Sequence, residues 1–134
     1  MIYFLDTNIC VHILNGSSER ALKKLEEVGI GTVGLPSTVV AELAYGAHKS
    51  TKRDYNLARL RKFVRQFSIA ELNPAATEVY GEIRAELERK GTPIGANDYF
   101  IAAIVKARNG VLVTNNTREF SRVYDLAIED WTKI

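Results

Sequence analysis

One cysteine, two histidines, three prolines and one tryptophan occur among the 134 residues, and these shortages exclude several classes of protein. Cys10, being alone, cannot close an internal disulfide, and neither His12 nor His48 lies at zinc-site spacing from it. Within its apolar stretch Cys10 reads as a small buried thiol. No apolar run approaches the ~20 residues that span a bilayer, and no charged segment followed by a long apolar one opens the chain. The expectation is a reduced, cytoplasmic protein without a membrane partner. Low-complexity stretches, linkers and repeats are also missing. The net charge of +2 is too small to mark a nucleic-acid binder by itself.

What is present is ordinary globular material, 46% hydrophobic and 25% charged, and the expectation is a single domain over residues 1–134. Ile2-Tyr3-Phe4-Leu5 is apolar on both faces, as a buried strand of a parallel sheet requires. Thr7 and Asn8 offer caps for a helix carrying Ile9, Val11 and Ile13, which Asn15-Gly16 ends. A second helix is expected over Glu19 to Val28, a strand over Thr32 to Leu35, and a helix from Val39 to His48 after Pro36-Ser37-Thr38. Tyr55 to Phe67 spaces Leu57, Leu60, Phe63, Val64 and Phe67 as a buried stripe. Ser68 to Leu72 reads as a strand, Pro74 to Lys90 as a long helix stopped by Gly91, and Tyr99 to Asn109 as a nearly all-apolar helix. Val111 to Thr114 is the clearest late strand; Asn115-Asn116-Thr117 leads a helical turn and Leu126-Ala127-Ile128 an edge strand. Short strands alternating with helices define an α/β domain with a mostly parallel sheet flanked by helices.

Ligands of such sheets bind outside the carboxyl ends of the strands, and acids are expected there. Asp6 follows the first strand, Glu42 lies about one turn into the helix after the second, and Asp98 opens the most apolar helix. Asn115 and Asn116 follow the late strand. Carboxylates gathered and partly desolvated either take up protons or require a cation. Oxygen ligands without a histidine or thiolate cluster suit Mg²⁺ or Mn²⁺, which can activate water against a phosphodiester. Taken singly, the residues have plainer readings: Asp6 and Asp98 as helix caps, Glu42 as an exposed helix acid, Glu119, Glu129 and Asp130 as surface acids. Lys49, Lys52, Arg53, Arg59, Arg61, Lys62 and Arg65 crowd one segment opposed only by Asp54. They form either a solvated helix face or a phosphate-attracting surface.

Asp6-Thr7-Asn8, Ala41-Glu42-Leu43, Ile94-Gly95-Ala96-Asn97-Asp98, Ile101-Ala102-Ala103 and Leu112 to Phe120 occur in an order and at spacings that resemble PIN-domain ribonucleases, specifically the VapC-type toxins of bacterial toxin–antitoxin pairs. The resemblance runs from Met1 to Trp131. It implies a PIN-like three-layer sandwich and an endoribonuclease that depends on Mg²⁺, with Mn²⁺ substituting. Asp6, Glu42 and Asp98 match the family's three acids. Asn116 stands where many PIN domains carry a fourth aspartate, which implies a one-metal site first. Supporting roles fall to Thr7, Asn8, Thr114, Asn116 and Glu119, and RNA contact to Lys49, Lys52, Arg53 and Arg84. The resemblance further implies a cognate VapB-type antitoxin that inserts a segment into the active-site groove, a homodimer, and higher toxin–antitoxin assemblies. Some relatives cut the anticodon stem-loop of initiator tRNA. Two other readings remain: a catalytically silent PIN-like module that binds RNA or a partner, and a metal-dependent phosphatase for small substrates.

Overall fold

The computed structural model describes residues 1–133, and its centre is the strand the sequence opens on. Strand β1 (Tyr3–Leu5) lies between β2 (Val33–Pro36) and β4 (Val111–Val113), with β3 (Ser68–Ala70) and β5 (Ala127–Glu129) at the edges. All four pairings are parallel, and Leu5 pairs with Val113. Having neighbours on both sides, β1 must be apolar on both faces, and Phe4 and Leu5 are fully buried. Helices α1 (Thr7–Asn15) and α2 (Glu19–Val28) join β1 to β2, and α3 (Ser37–Lys49) and α4 (Arg53–Val64) join β2 to β3. Helices α5 (Pro74–Arg89) and α6 (Ala96–Ala107) then carry the chain back to β4, and the short α7 (Thr117–Phe120) leads to β5. The first two connections step one way across the sheet and the last two the other, so right-handed crossovers place the two helix sets on opposite faces.

Local chemistry sets the element ends. Asp6, not Thr7 or Asn8, is the N-cap of α1: its carboxylate accepts from the Thr7 amide at 2.7 Å, while Thr7 and Asn8 already belong to the helix. The reason is that a carboxylate on the last extended residue reaches the free amides of the first turn. Gly16 ends α1 in the left-handed region at φ 64°. Asn73 caps α5 through the Ala76 amide, with Pro74 in the first position. The chain leaves β3 at Ala70, before Leu72, because the Asn73 amide donates to the Glu71 carbonyl in a tight turn.

Two helices are displaced from their expected spans. Helix α4 starts at Arg53 and stops at Val64, leaving Phe67 to pack from the following turn on Phe63 at 4.9 Å between ring centroids. Helix α6 starts at Ala96, three residues before Tyr99, with Gly95 as its N-cap. It packs on α5, α3, β2 and β4, which accounts for its apolar composition.

Candidate active site

Strand order reverses between β1 and β4, because the connections leave β1 on one side and return on the other. The crevice at such a switch point lies beyond the carboxyl ends of the two strands. Asp6 and Thr114 are the residues that follow those ends, held side by side by the Leu5–Val113 pairing and by the Asp6 amide donating to the Val113 carbonyl at 2.9 Å. Asp6 is 5% exposed and Thr114 fully buried. The Thr114 hydroxyl donates to Asp6 Oδ2 at 2.7 Å and accepts from the Asn116 amide at 2.9 Å. One buried hydroxyl thus fixes the Asp6 carboxylate and shapes the turn that carries Asn116.

Glu42 approaches from α3 and Asp98 from the first turn of α6. Burial and the neighbouring Asp6 both push the Glu42 carboxyl above its usual range. The Thr7 hydroxyl pulls it back in part, yet stays outside hydrogen-bonding geometry: Thr7 Oγ1 and Glu42 Oε1 are both buried without a partner. Asp98 is pushed up to about 7, first by burial, then by Asp6 and by Glu119, with Glu42 adding to the effect. Glu119 lies beside Asp98 and contributes to that rise, and is itself held by Asn116 Nδ2 at 3.2 Å. Asp6 also lies above the usual carboxylate range, because burial outweighs its two hydrogen bonds.

These directions separate the site from a set of helix caps. A capping carboxylate that accepts hydrogen bonds is ordinarily lowered, as is the exposed Glu86 beside Lys90. Asp6 accepts two hydrogen bonds and is raised all the same. Asp98 lies in the first turn of its helix, where the dipole favours negative charge by up to ~2 kcal/mol, and it too is raised. Desolvation wins at every position, repulsion adds to it at Glu42 and Asp98, and a cation would relieve both. Among the described residues no three His, Cys, Asp or Glu side chains close on one point as a fully protein-ligated ion would need. Mg²⁺ does not need such closure, because it keeps several waters and takes one or two carboxylates directly. The unpartnered Glu42 Oε1 is a free acceptor of the kind such an ion or its water would use.

The remaining expected residues divide. Asn8 is exposed and, among the described residues, makes no hydrogen bond to Asp6. Glu119, read most simply as a surface acid, is half-buried and turned inward. Glu129 accepts from Trp131 Nε1 at 3.0 Å and Asp130 from the Thr132 amide at 2.9 Å, so both are local braces and not free surface acids. In the basic segment Lys49, Lys52, Arg53, Arg61, Lys62 and Arg65 are exposed. Arg59 is not: it donates to the Leu14 carbonyl at 2.7 Å and ties α4 to α1. Arg84 is exposed but engaged, with Glu88 at 3.1 Å and the Tyr80 hydroxyl at 2.7 Å. One position escaped sequence reasoning. A Cβ on Gly95 would stand 3.1 Å from Asp98 Oδ2, so the bare backbone leaves that carboxylate its place; a glycine three residues before a candidate ligand was the available sign. A cleft of about 370 Å³ runs from Thr7 and Glu42 past Gly46 to Asn56 and Arg59.

A crevice of repelling carboxylates at the switch point of a parallel sheet suits a divalent cation and the phosphoryl chemistry such an ion supports, and comparison with known proteins narrows the class. The PIN domain profile matches residues 3–126. Ribonuclease VapC2 of Rickettsia felis is 43% identical over 134 residues, covering 99% of this chain and 100% of that protein. The tRNA(fMet)-specific endonuclease VapC of Shigella flexneri is 38% identical over 130 residues, covering 97% and 98%. Among solved structures, VapBC2 from Rickettsia felis bound to a DNA fragment from its promoter superposes with a TM-score of 0.91 at 42% identity, covering 98% of this chain and 99% of that one. The chain belongs to the PIN-domain family, in its VapC ribonuclease branch. That family implies dependence on a divalent metal.

Proposed function

We propose that this chain is the toxin of a type II toxin–antitoxin pair and an endoribonuclease, with Mg²⁺ or Mn²⁺ held by Asp6, Glu42 and Asp98. The observation that supports it most is that all three carboxyls are raised together at one crevice. When bound, such an ion supplies a water of lowered pKa and offsets charge on the phosphoryl oxygens. The chain's own residues do the rest. Thr114 keeps Asp6 in one orientation, and Asn116 holds Glu119 against Asp98. Glu119 therefore takes the part of the fourth acid that Asn116 lacks. Hydrolysis breaks one phosphorus–oxygen ester bond of the RNA and forms one to the water oxygen; a site carboxylate accepts the water's proton, and the leaving ribose oxygen takes up a proton from solvent.

The Shigella relative's specificity suggests initiator tRNA as the substrate, and a VapB-type antitoxin as the partner that silences a cytoplasmic homodimer. The experiment is cleavage of initiator tRNA by purified protein in Mg²⁺ or Mn²⁺, beside Asp6→Asn and Asp98→Asn. Each variant should lose at least 100-fold in rate, on the scale of removing one electrostatic contributor (roughly 10²–10³). If both cut as the parent does, the site assignment is wrong.

A further inference from the structure

Tyr45 is 66% exposed, and no packing in the fold explains a ring left so bare. It follows Glu42 by three residues on α3 and precedes Lys49 by four, so all three share one face of the helix. Lys49 Nζ lies 5.3 Å from the Tyr45 ring centroid. At an exposed site that contact is worth only about 0.5–1 kcal/mol, too little to be why the ring is there. Beside it, Gly46 lines the cleft that Glu42 enters, and nothing lies within 4 Å of where its Cβ would be. Gly46 therefore puts no side chain into the cleft beside the ring. Farther along the chain, exposed Lys52 and Arg53 open α4.

Carboxylate, aromatic face and the Lys49 cation thus follow one another along one face of α3. Single-stranded nucleic acid is bound by that combination, a positive track with aromatic rings on which bases stack. A duplex offers the ring nothing, because its bases already stack on one another. We propose that Tyr45, steadied by Lys49, is the stacking surface for an unpaired base next to the phosphate that meets Glu42. Tyr45 then helps to choose which nucleotide lies at the cut. This rests on the ribonuclease reading above.

The test uses the full chain and a hairpin RNA carrying the initiator-tRNA anticodon arm, intact or with an abasic nucleotide at each loop position in turn. Cleavage in Mn²⁺ yields KM and kcat, fluorescence anisotropy in EDTA yields Kd, and gel filtration follows the oligomeric state. Tyr45→Ala should raise KM and Kd about tenfold, from the ~1–3 kcal/mol of one base–aromatic stack, with kcat nearly unchanged. Tyr45→Phe should match the parent. At one loop position the abasic RNA should weaken the parent by the same factor and Tyr45→Ala no further. Parent-like binding by Tyr45→Ala, losses that multiply at every abasic position, or a Tyr45→Ala monomer where the parent is a dimer would each overturn the inference. A failure of the ribonuclease reading looks different: the parent leaves the hairpin uncut, while anisotropy still reports whether Tyr45 stacks.

Discussion

Asp98 combines two demands that conflict in most side chains. Its carboxyl, pushed up to about 7 by burial, Asp6 and Glu119, is unfavourable to the fold once ionised and valuable only when a cation is present. Asp98→Asn should therefore do opposite things to activity and stability. Cutting should disappear, while the metal-free protein at pH 8 should gain on the order of 0.5–2 kcal/mol, as relief of a strained functional site commonly yields; denaturant titration at that pH measures the gain. Thr114 offers the contrasting case. Its buried hydroxyl serves Asp6 and the Asn116 amide at once, so Thr114→Val leaves Asp6 Oδ2 and the Asn116 amide without that partner, at about 1–3 kcal/mol each, while Oδ1 keeps the Thr7 amide. The chemical midpoint should fall and kcat with it, whereas Thr114→Ser keeps the hydroxyl and should retain most of both.

At the level of elements, the sequence announced what repeats and concealed what depends on distant partners. Apolar stripes and proline or glycine stops located every strand and helix, because burial and backbone geometry act locally. Boundaries moved by a few residues where another local group took the cap: the Asp6 carboxylate in place of Thr7 and Asn8, and Gly95 ahead of α6 at Ala96. The candidate acids were legible as residues following strands or opening helices. The inward turn of Glu119 was not, because Asp98, which it meets, comes from a separate segment, while Asn116, three residues before it, only braces it. Nor was the loss of Arg59 from the basic surface, since its acceptor lies 45 residues away. Packing of the central strand gives a sharper test. A Cβ on Gly110 would come within 2.3 Å of the Phe4 ring, which is fully buried and has no room to retreat. Gly110→Ala should cost roughly 1–3 kcal/mol by overpacking and lower the thermal midpoint, with β1 displaced from β4. Gly95→Ala presses on Asp98 from 3.1 Å; it should weaken Mn²⁺ binding more than stability, as read by metal titration against the thermal midpoint.

For the whole molecule, the raised carboxyls link acidity to metal. Between the ordinary aspartate value of 3.8 and about 7, folded Asp98 keeps a proton that the unfolded chain has lost. Stability of the metal-free protein therefore falls as pH rises through that window, and the loss is complete above it. Glu42 and Asp6, shifted in the same direction, add to it. Divalent metal should reverse the trend, since it binds the deprotonated acids and releases their protons. At a concentration of 100 Kd it adds about 2.7 kcal/mol, roughly a 10 °C rise in a domain of this size. Differential scanning fluorimetry with and without Mn²⁺ should show the larger rise near pH 8 and little near pH 5.

The hydrogen bond from Thr114 to Asp6 spans 108 residues of chain, and this bears on how the protein is made. Synthesis runs from the N-terminus, so β1 and Asp6 leave the ribosome early, without β4 beside them. Until residues 111–119 follow, the crevice has only one wall, Asp6 lacks its hydroxyl donor, and Glu119 does not exist. A partly translated chain is thus unarmed by construction. An enzyme that cut initiator tRNA would attack the machinery translating it, and here the proposed site closes only once residues 111–119 have been synthesised.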